Sequence, residues 1–169
     1  MDSDDAADLL ASVPEEVAEE VLASIDAEDS REVRRLLAYD EETAGGIMQA
    51  ELLAVAQEAT IADTIKHVRE YGKELEGLAN IFVISSKRQV VGQVSLRQLI
   101  LAEPADTLSQ VMDTTVRAIP VAMDQEDVAR MFQKYDLLSA PVIESDGSLV
   151  GRITIDDIID IIEEEISED

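Results

Sequence analysis

The second half of this chain repeats its middle. With an offset of 64 residues, Ala54-Val55 falls on Ala118-Ile119, Asp63 on Asp127 and Tyr71 on Tyr135; just ahead, Ile47-Met48 falls on Val111-Met112. A five-residue difference in the connector changes the offset to 59. Val83-Ile84 then matches Val142-Ile143, Val91-Gly92 matches Val150-Gly151, Val94-Ser95 matches Ile153-Thr154, and Leu99 matches Ile158. A repeat of about 60 residues means one supersecondary unit made twice, each copy burying a face the other leaves open. Periodicity gives each copy a short strand and a helix (Ile61 to Tyr71, Gln125 to Tyr135). Two strands follow, joined around Lys87-Arg88-Gln89 or Asp146-Gly147-Ser148, and a second helix closes the copy. Asp146-Gly147 between two apolar runs is a strong hairpin signal. The expected fold is α+β: two β-α-β-β-α units in a pseudo-two-fold arrangement.

Ahead of the repeat, residues 1–40 read as short acidic helices. Leu9, Leu10 and Val13 form one apolar group, Val17, Val21, Leu22 and Ile25 a second, and Val33, Leu36 and Leu37 a third. Pro14 followed by Glu15 and Glu16 suits a first helical turn. Three helices this short hold too little core to stand alone and read as the end of something larger. Ala44-Gly45-Gly46 breaks the pattern and reads as a swivel between modules.

The chain carries 13 Lys and Arg against 38 Asp and Glu, a net charge of −25, which argues against nucleic acid and anionic membranes as partners. Hydrophobic residues make up 46%, so the acidity does not signal disorder. There is no Cys, which removes disulfides, thiolate metal sites and cysteine nucleophiles. The longest apolar run, Leu52 to Ala56, is far below the ~18 residues of a membrane span. Asp2, Asp4 and Asp5 stand where a signal peptide has basic residues, so the expectation is a soluble, cytosolic chain. No enzyme is expected. The single His, His67, has Met131 as its repeat counterpart and reads as a packed helix residue. Tyr71 and Tyr135, at equivalent helix ends, read as core anchors, and no Gly-rich phosphate loop or nucleophile elbow occurs.

The last seventeen residues, Ile153 to Asp169, contain eight carboxylates and no cation; Arg152 precedes them. On a helix, Ile155, Ile158, Ile159, Ile162 and Ile166 form an apolar stripe, flanked by Asp156, Asp160, Glu163 and Glu164. Two readings stay open: a solvated face of an acidic protein, or a surface that needs a cation. The second gains weight because Glu163, Glu164 and Glu165 sit toward the helix C-terminus, where negative charge is unfavourable. Oxygen donors without imidazole or thiolate favour Mg²⁺ or Ca²⁺. The lack of an EF-hand loop argues against a dedicated Ca²⁺ site.

Gly151-Arg-Ile-Thr-Ile-Asp-Asp157 matches the Gly, Thr and Asp positions of the Gly-h-x-Thr-x-x-Asp pattern of CBS domains, and with two copies in register the repeat resembles a tandem CBS pair. More specifically, Tyr39-Asp-Glu-Glu-Thr-Ala-Gly-Gly-Ile-Met48, Val94-Ser-Leu-Arg97, Asp124-Gln-Glu-Asp-Val-Ala-Arg130 and the acidic tail resemble the cytosolic region of MgtE-family magnesium transporters. That resemblance implies the end of an N domain over residues 1–44, a first CBS domain over 45–106 and a second over 107–169. It implies a regulatory Mg²⁺ sensor at the cytoplasmic side of the membrane, a homodimer through the CBS domains, and a transmembrane channel domain as partner in the full-length protein. Mg²⁺ would be held by Asp156, Asp157, Asp160, Glu163, Glu165, Glu168 and Asp169, with Asp8, Glu15 or Glu19 as N-domain contributors. An alternative is sensing of ATP or another adenine nucleotide. Thr154 and Asp157 would then meet the ribose, the backbone of Ser139, Ala140 and Pro141 would line the adenine, and Arg117 and Arg152 would relieve phosphate charge. Against that stands the plain reading of Thr154 as a helix cap. Two departures from the family pattern stand out: Met-Thr-Pro-Glu becomes Met48-Gln-Ala-Glu51, and the acidic position of the first unit is Gln98.

Overall fold

The computed structural model describes residues 39–168, with side chains through Glu164. Readings placed on residues 1–38, and on the side chains of Glu165, Glu168 and Asp169, lie outside the described residues. The order is α1 (Ala44–Ile47), β1 (Ala54–Ala56), α2 (Ile61–Tyr71), a 3-10 turn (Gly72–Glu74), β2 (Asn80–Ile84), β3 (Val90–Ser95) and α3 (Leu96–Leu101). Then come α4 (Leu108–Val111), β4 (Ile119–Pro120), α5 (Gln125–Tyr135), β5 (Ser139–Ile143), β6 (Leu149–Thr154) and α6 (Ile155–Glu168).

Each unit holds a three-stranded sheet, β1-β2-β3 or β4-β5-β6. A helical crossover makes the first pair parallel, and a tight turn makes the second antiparallel. Thr60 caps α2 by accepting from the Asp63 N–H at 3.1 Å, and Asp124 caps α5 by accepting from the Glu126 N–H at 3.2 Å. Both hairpin turns need one residue in the left-handed region. Gly147 fills it in the second unit at φ 87°, and Arg88 fills the equivalent place in the first at φ 62°.

The lead-in segments are exchanged between the units. α1 and Met48, ahead of the first unit, belong to the core of the second, with Ile119, Val128, Phe132, Val142, Ile153 and Ile158. Leu108 of α4, ahead of the second unit, belongs to the core of the first, with Leu53, Ile61, Ile81, Val83, Val94 and Leu99. Backbone pairs seal both exchanges. Gln49 and Arg152 trade N–H to carbonyl bonds at 2.8 Å each way, and the equivalent pair Asp113 and Gln93 does so at 2.9 and 3.0 Å. Ala44-Gly45-Gly46 is therefore not a swivel. It is a buried helical turn whose Ala44 and Gly45 N–H groups donate to the Met123 and Val121 carbonyls, with the Tyr39 ring packed over Gly45.

Two other expectations are corrected. Tyr71 and Tyr135 are not core anchors: they are 52% and 37% exposed, Tyr71 against the His67 ring and Tyr135 under the Arg117 guanidinium, 3.9 Å from the ring centre. On α6 the buried stripe runs through Ile158 and Ile161, with Ile155 and Ile162 at its edges, whereas Ile159 is 46% exposed. The helix is thus rotated from the stripe read in the sequence, because Ile161 replaces Ile159 on the core side.

Candidate functional site

Strand alternation puts Ser139, Pro141, Arg152 and Thr154 on one face of the second sheet, since Ser139 pairs with Thr154 and Pro141 with Arg152. The matching face of the first sheet carries Asn80, Phe82, Gln93 and Ser95. These faces meet at the pseudo-two-fold axis, where the Asn80 amide donates to the Ser139 hydroxyl at 3.2 Å between equivalent positions. Phe82, 1% exposed, belongs to neither unit's core cluster and is buried on this inter-unit face.

At the end of this face, β6 turns into α6. Oδ2 of Asp157 accepts from the backbone N–H and from the hydroxyl of Thr154, each at 3.0 Å. The Asp157 N–H leans back on the Thr154 Oγ1 at 3.4 Å, so Thr154 does cap the helix, and the same turn holds the Asp157 carboxylate. The Gln49 amide donates to Asp157 Oδ1 at 3.1 Å and Oδ2 at 3.2 Å. Burial pushes the Asp157 carboxyl above its ordinary value, against the opposing pull of the Thr154 N–H, Gln49, the Thr154 hydroxyl and the Arg152 charge.

Arg152 does not stand ready for a phosphate. Its side chain is 3% exposed and spends its fork on the chain: Nε donates to the Glu51 carbonyl at 2.8 Å and Nη2 to the Glu76 carbonyl at 2.7 Å. Longer bonds of 3.4 Å run from Nη1 to the Gly77 carbonyl and from Nη2 to Gln49 Oε1. It ties the loop of the first unit and the lead-in segment to the second sheet. Arg117 is likewise engaged, over Tyr135.

The pseudo-equivalent turn of the first unit is built differently. Ser95 and Gln98 form a closed capping box, with the Ser95 N–H donating to Gln98 Oε1 at 2.8 Å and the Gln98 N–H to Ser95 Oγ at 3.1 Å. With Gln98 there in place of Asp157, and Phe82 where the second unit has Pro141, only the second of the two equivalent turns carries a carboxylate at this position.

The expected site residues therefore separate. Ser139, Ala140 and Pro141 form the buried start of β5; Thr154 pairs with Ser139 across the β5–β6 register, and Asp157 is bonded to Thr154. Asp156, Asp160, Glu163 and Glu164 lie along the outer side of α6, while Asp157 turns inward, away from that strip. Among the described residues no three carboxylates converge into a ready-made cage for a metal ion. α6 has Asp156 and Asp157 in its first turn and no basic residue in its last. Reading the sequence missed the roles of Asn80 and Gln49; the only signal for Gln49 was its departure from the family pattern.

Residues 1–42 match the family of the MgtE intracellular N domain, and residues 44–104 and 108–164 match the CBS domain family. The magnesium transporter MgtE of Bacillus subtilis (strain 168) is 37% identical over 169 residues, which cover 100% of this chain and 38% of that protein. The soluble part of a magnesium transporter superposes with a TM-score of 0.93 at 32% identity, covering 98% of this chain and 64% of that one. The cytosolic domain of the Mg²⁺ channel MgtE, solved in complex with ATP, superposes with a TM-score of 0.91 at 33% identity, covering 95% and 66%. No helix among the described residues is long and apolar enough to cross a membrane.

Proposed function

The chain belongs to the MgtE family, as the end of its intracellular N domain followed by the CBS pair, and we propose that it is the cytosolic Mg²⁺-sensing module of a magnesium channel. The observation that carries this reading is the carboxylate strip Asp156, Asp160, Glu163 and Glu164 on a helix whose last turn has no cation. Like charges three and four residues apart repel, and carboxylates toward the C-terminal end oppose the helix dipole. Hydrated Mg²⁺, a hard cation that contacts one or two carboxylates and keeps its remaining waters, suits such a strip better than a closed cage would. Mg²⁺ held between this strip and a second acidic surface stabilises the compact arrangement of the dimer, which favours the closed channel; without it, repulsion favours the splayed one. Asp157, Glu165, Glu168 and Asp169 complete the set of proposed ligands, with Asp157 the least available because its carboxylate is already bonded.

The homodimer forms through the CBS units. Ile100 and Ile159, at equivalent positions on the closing helices, are 78% and 46% exposed, which leaves apolar side chains for a second copy to cover. In the full-length protein the transmembrane channel domain is the partner on which this module acts, from the cytoplasmic side. Melting curves in MgCl₂ and in NaCl of matched ionic strength test the proposal. A melting temperature that rises more with Mg²⁺ than screening accounts for supports it; equal shifts in the two salts refute it.

The Thr154–Asp157 turn favours a second ligand in the same module, an adenine nucleotide in the inter-unit cleft. A carboxylate held by a capping threonine beside the buried start of β5 is suited to accept from a ribose diol. The ATP complex of the 33% identical neighbour supports this reading. Calorimetric titration with ATP should give a heat that disappears in Asp157→Ala.

A further inference from the structure

The acid of this cleft is already occupied from within the chain. Asp157 Oδ2 is committed to the cap, accepting from the Thr154 N–H and hydroxyl. Oδ1, the oxygen left for an incoming hydroxyl, is covered by the Gln49 amide at 3.1 Å. That amide is held from both sides: Arg152 Nη2 donates to its Oε1 at 3.4 Å, which directs its NH₂ group at Asp157. Reciprocal backbone bonds of 2.8 Å between Gln49 and Arg152 deliver the side chain to this place. Nothing of the kind occurs in the first unit. There Asp113, the equivalent of Gln49, accepts from the Thr115 N–H at 2.9 Å, and Gln98 is closed in its own capping box.

We propose that Gln49 is an intrachain competitor for the edge of Asp157 that a nucleoside diol would use, so that position 49 sets the affinity of the cleft. This rests on the nucleotide reading above. A ribose that donates its hydroxyls to Asp157 must first displace the Gln49 amide, so the apparent affinity is the intrinsic one scaled by the fraction of chains in which the amide is out of place. The amide mimics the ligand: two N–H donors against one carboxylate, where the diol brings two O–H donors.

Titration calorimetry of the wild-type chain, Gln49→Ala and Gln49→Thr, each with ATP and with adenosine, tests this, with a melting curve on each variant to establish that it folds. Both ligands should bind both variants more tightly by about fivefold, the scale of one net hydrogen bond. The gain should be the same for ATP and adenosine, because the competition is at the sugar. Binding to a variant with none detectable to the wild type supports the same conclusion. Binding to all three chains with equal or weaker affinity in the variants overturns the competitor and leaves the nucleotide site standing. A gain for ATP without one for adenosine overturns it too, by placing Gln49 at the phosphates. No heat from any chain at millimolar ATP overturns the nucleotide reading and the competitor together.

Discussion

Met48 lies against Gly151 so closely that a Cβ at position 151 would stand 2.5 Å from its sulfur and 2.9 Å from the Gln49 carbonyl oxygen. Met112 repeats the arrangement over Gly92, with 2.5 Å to the sulfur and 3.1 Å to the Asp113 carbonyl. The glycine of the Gly-h-x-Thr-x-x-Asp pattern is thus where each exchanged lead-in segment meets the other unit's last strand. Gly151→Ala should destabilise the chain by about 1–3 kcal/mol, the usual cost of overpacking. Gly92→Ala should cost less, because the nearest backbone atom is farther away. Urea unfolding measures both, and adding Met48→Ala to Gly151→Ala should recover part of the loss; no recovery would mean that the clash with the Gln49 backbone dominates.

The repeat made much of the fold legible. Both long helices of the units run over the residues that the periodicity picks out, and both hairpins turn at Lys87-Arg88-Gln89 and Asp146-Gly147-Ser148. These features are local, set by spacing and turn chemistry. What the sequence hid is non-local. Met48 reads as the start of the first unit but packs in the second, and no periodicity within a segment says which of two similar sheets it will meet. Arg152 reads as a free cation near a cleft, yet carbonyls 75 and 101 residues away along the chain consume it. The candidate site was half legible: Thr154 and Asp157 follow from the motif, whereas Gln49 reaches them only through the exchange.

The hairpin turns offer a clean test of backbone strain. Gly147 sits at φ 87° with room for a methyl group, since a Cβ there would make only ordinary van der Waals contact, 3.6 Å from its nearest neighbour, the Gln89 side-chain nitrogen. Gly147→Ala should therefore cost only the left-handed penalty, about 1 kcal/mol. Arg88 already bears that penalty at φ 62°, so Arg88→Gly relieves it but gives up the 3.4 Å bond from Nε to the Leu149 carbonyl and gains chain entropy on unfolding. The two effects should leave Arg88→Gly within about 0.5 kcal/mol of wild type in urea unfolding.

Arg152 is a buried cation that satisfies carbonyls from two other segments. Arg152→Met keeps the length of the stem but leaves the Glu51 and Glu76 carbonyls without their donor, and should cost about 2–4 kcal/mol. Hydrogen exchange should quicken at residues 49–51 and 76–80 before it does in β5. Uniform acceleration throughout the second unit would show instead that Arg152 supports that sheet, not the junction.

Asp157 and Asp146 should act on stability with opposite signs as pH changes. Burial raises the folded-state pKa of Asp157 above its ordinary 3.8, so the folded chain holds that proton more tightly. Its contribution is therefore largest below pH 3.8 and is lost as pH rises through the raised value. Asp146 is the reverse: bonds from the Ser148 hydroxyl and N–H lower its pKa, so its contribution is present above 3.8 and lost as pH falls through the lowered value. The stability difference between wild type and Asp157→Asn should shift in the variant's favour as pH rises above about 4, whereas that between wild type and Asp146→Asn should shift in the wild type's favour as pH rises toward about 4. Urea unfolding across about pH 3 to 7 reads both, and slopes of the same sign would refute the assignment.

The acidic strip of α6 can be separated into repulsion and ion binding. Asp160 stands four residues from Asp156 and from Glu164 and three from Glu163, so it is at the centre of the like-charge pairs. Each such pair costs about 0.2–0.5 kcal/mol on an exposed helix, and carboxylates toward the C-terminal end also oppose the dipole. Replacing Asp160, Glu163 and Glu164 by their amides should raise the melting temperature by a few degrees in low salt without Mg²⁺. NaCl should raise the wild type toward the variant by screening the same pairs. If the strip also holds Mg²⁺, the variant loses the part of the MgCl₂ effect that exceeds matched NaCl, because the donors are gone and amides bind the ion far more weakly. A variant that is stabilised in low salt but keeps the full Mg²⁺ increment would place the ions away from these three carboxylates and leave the strip as a surface that only repels itself.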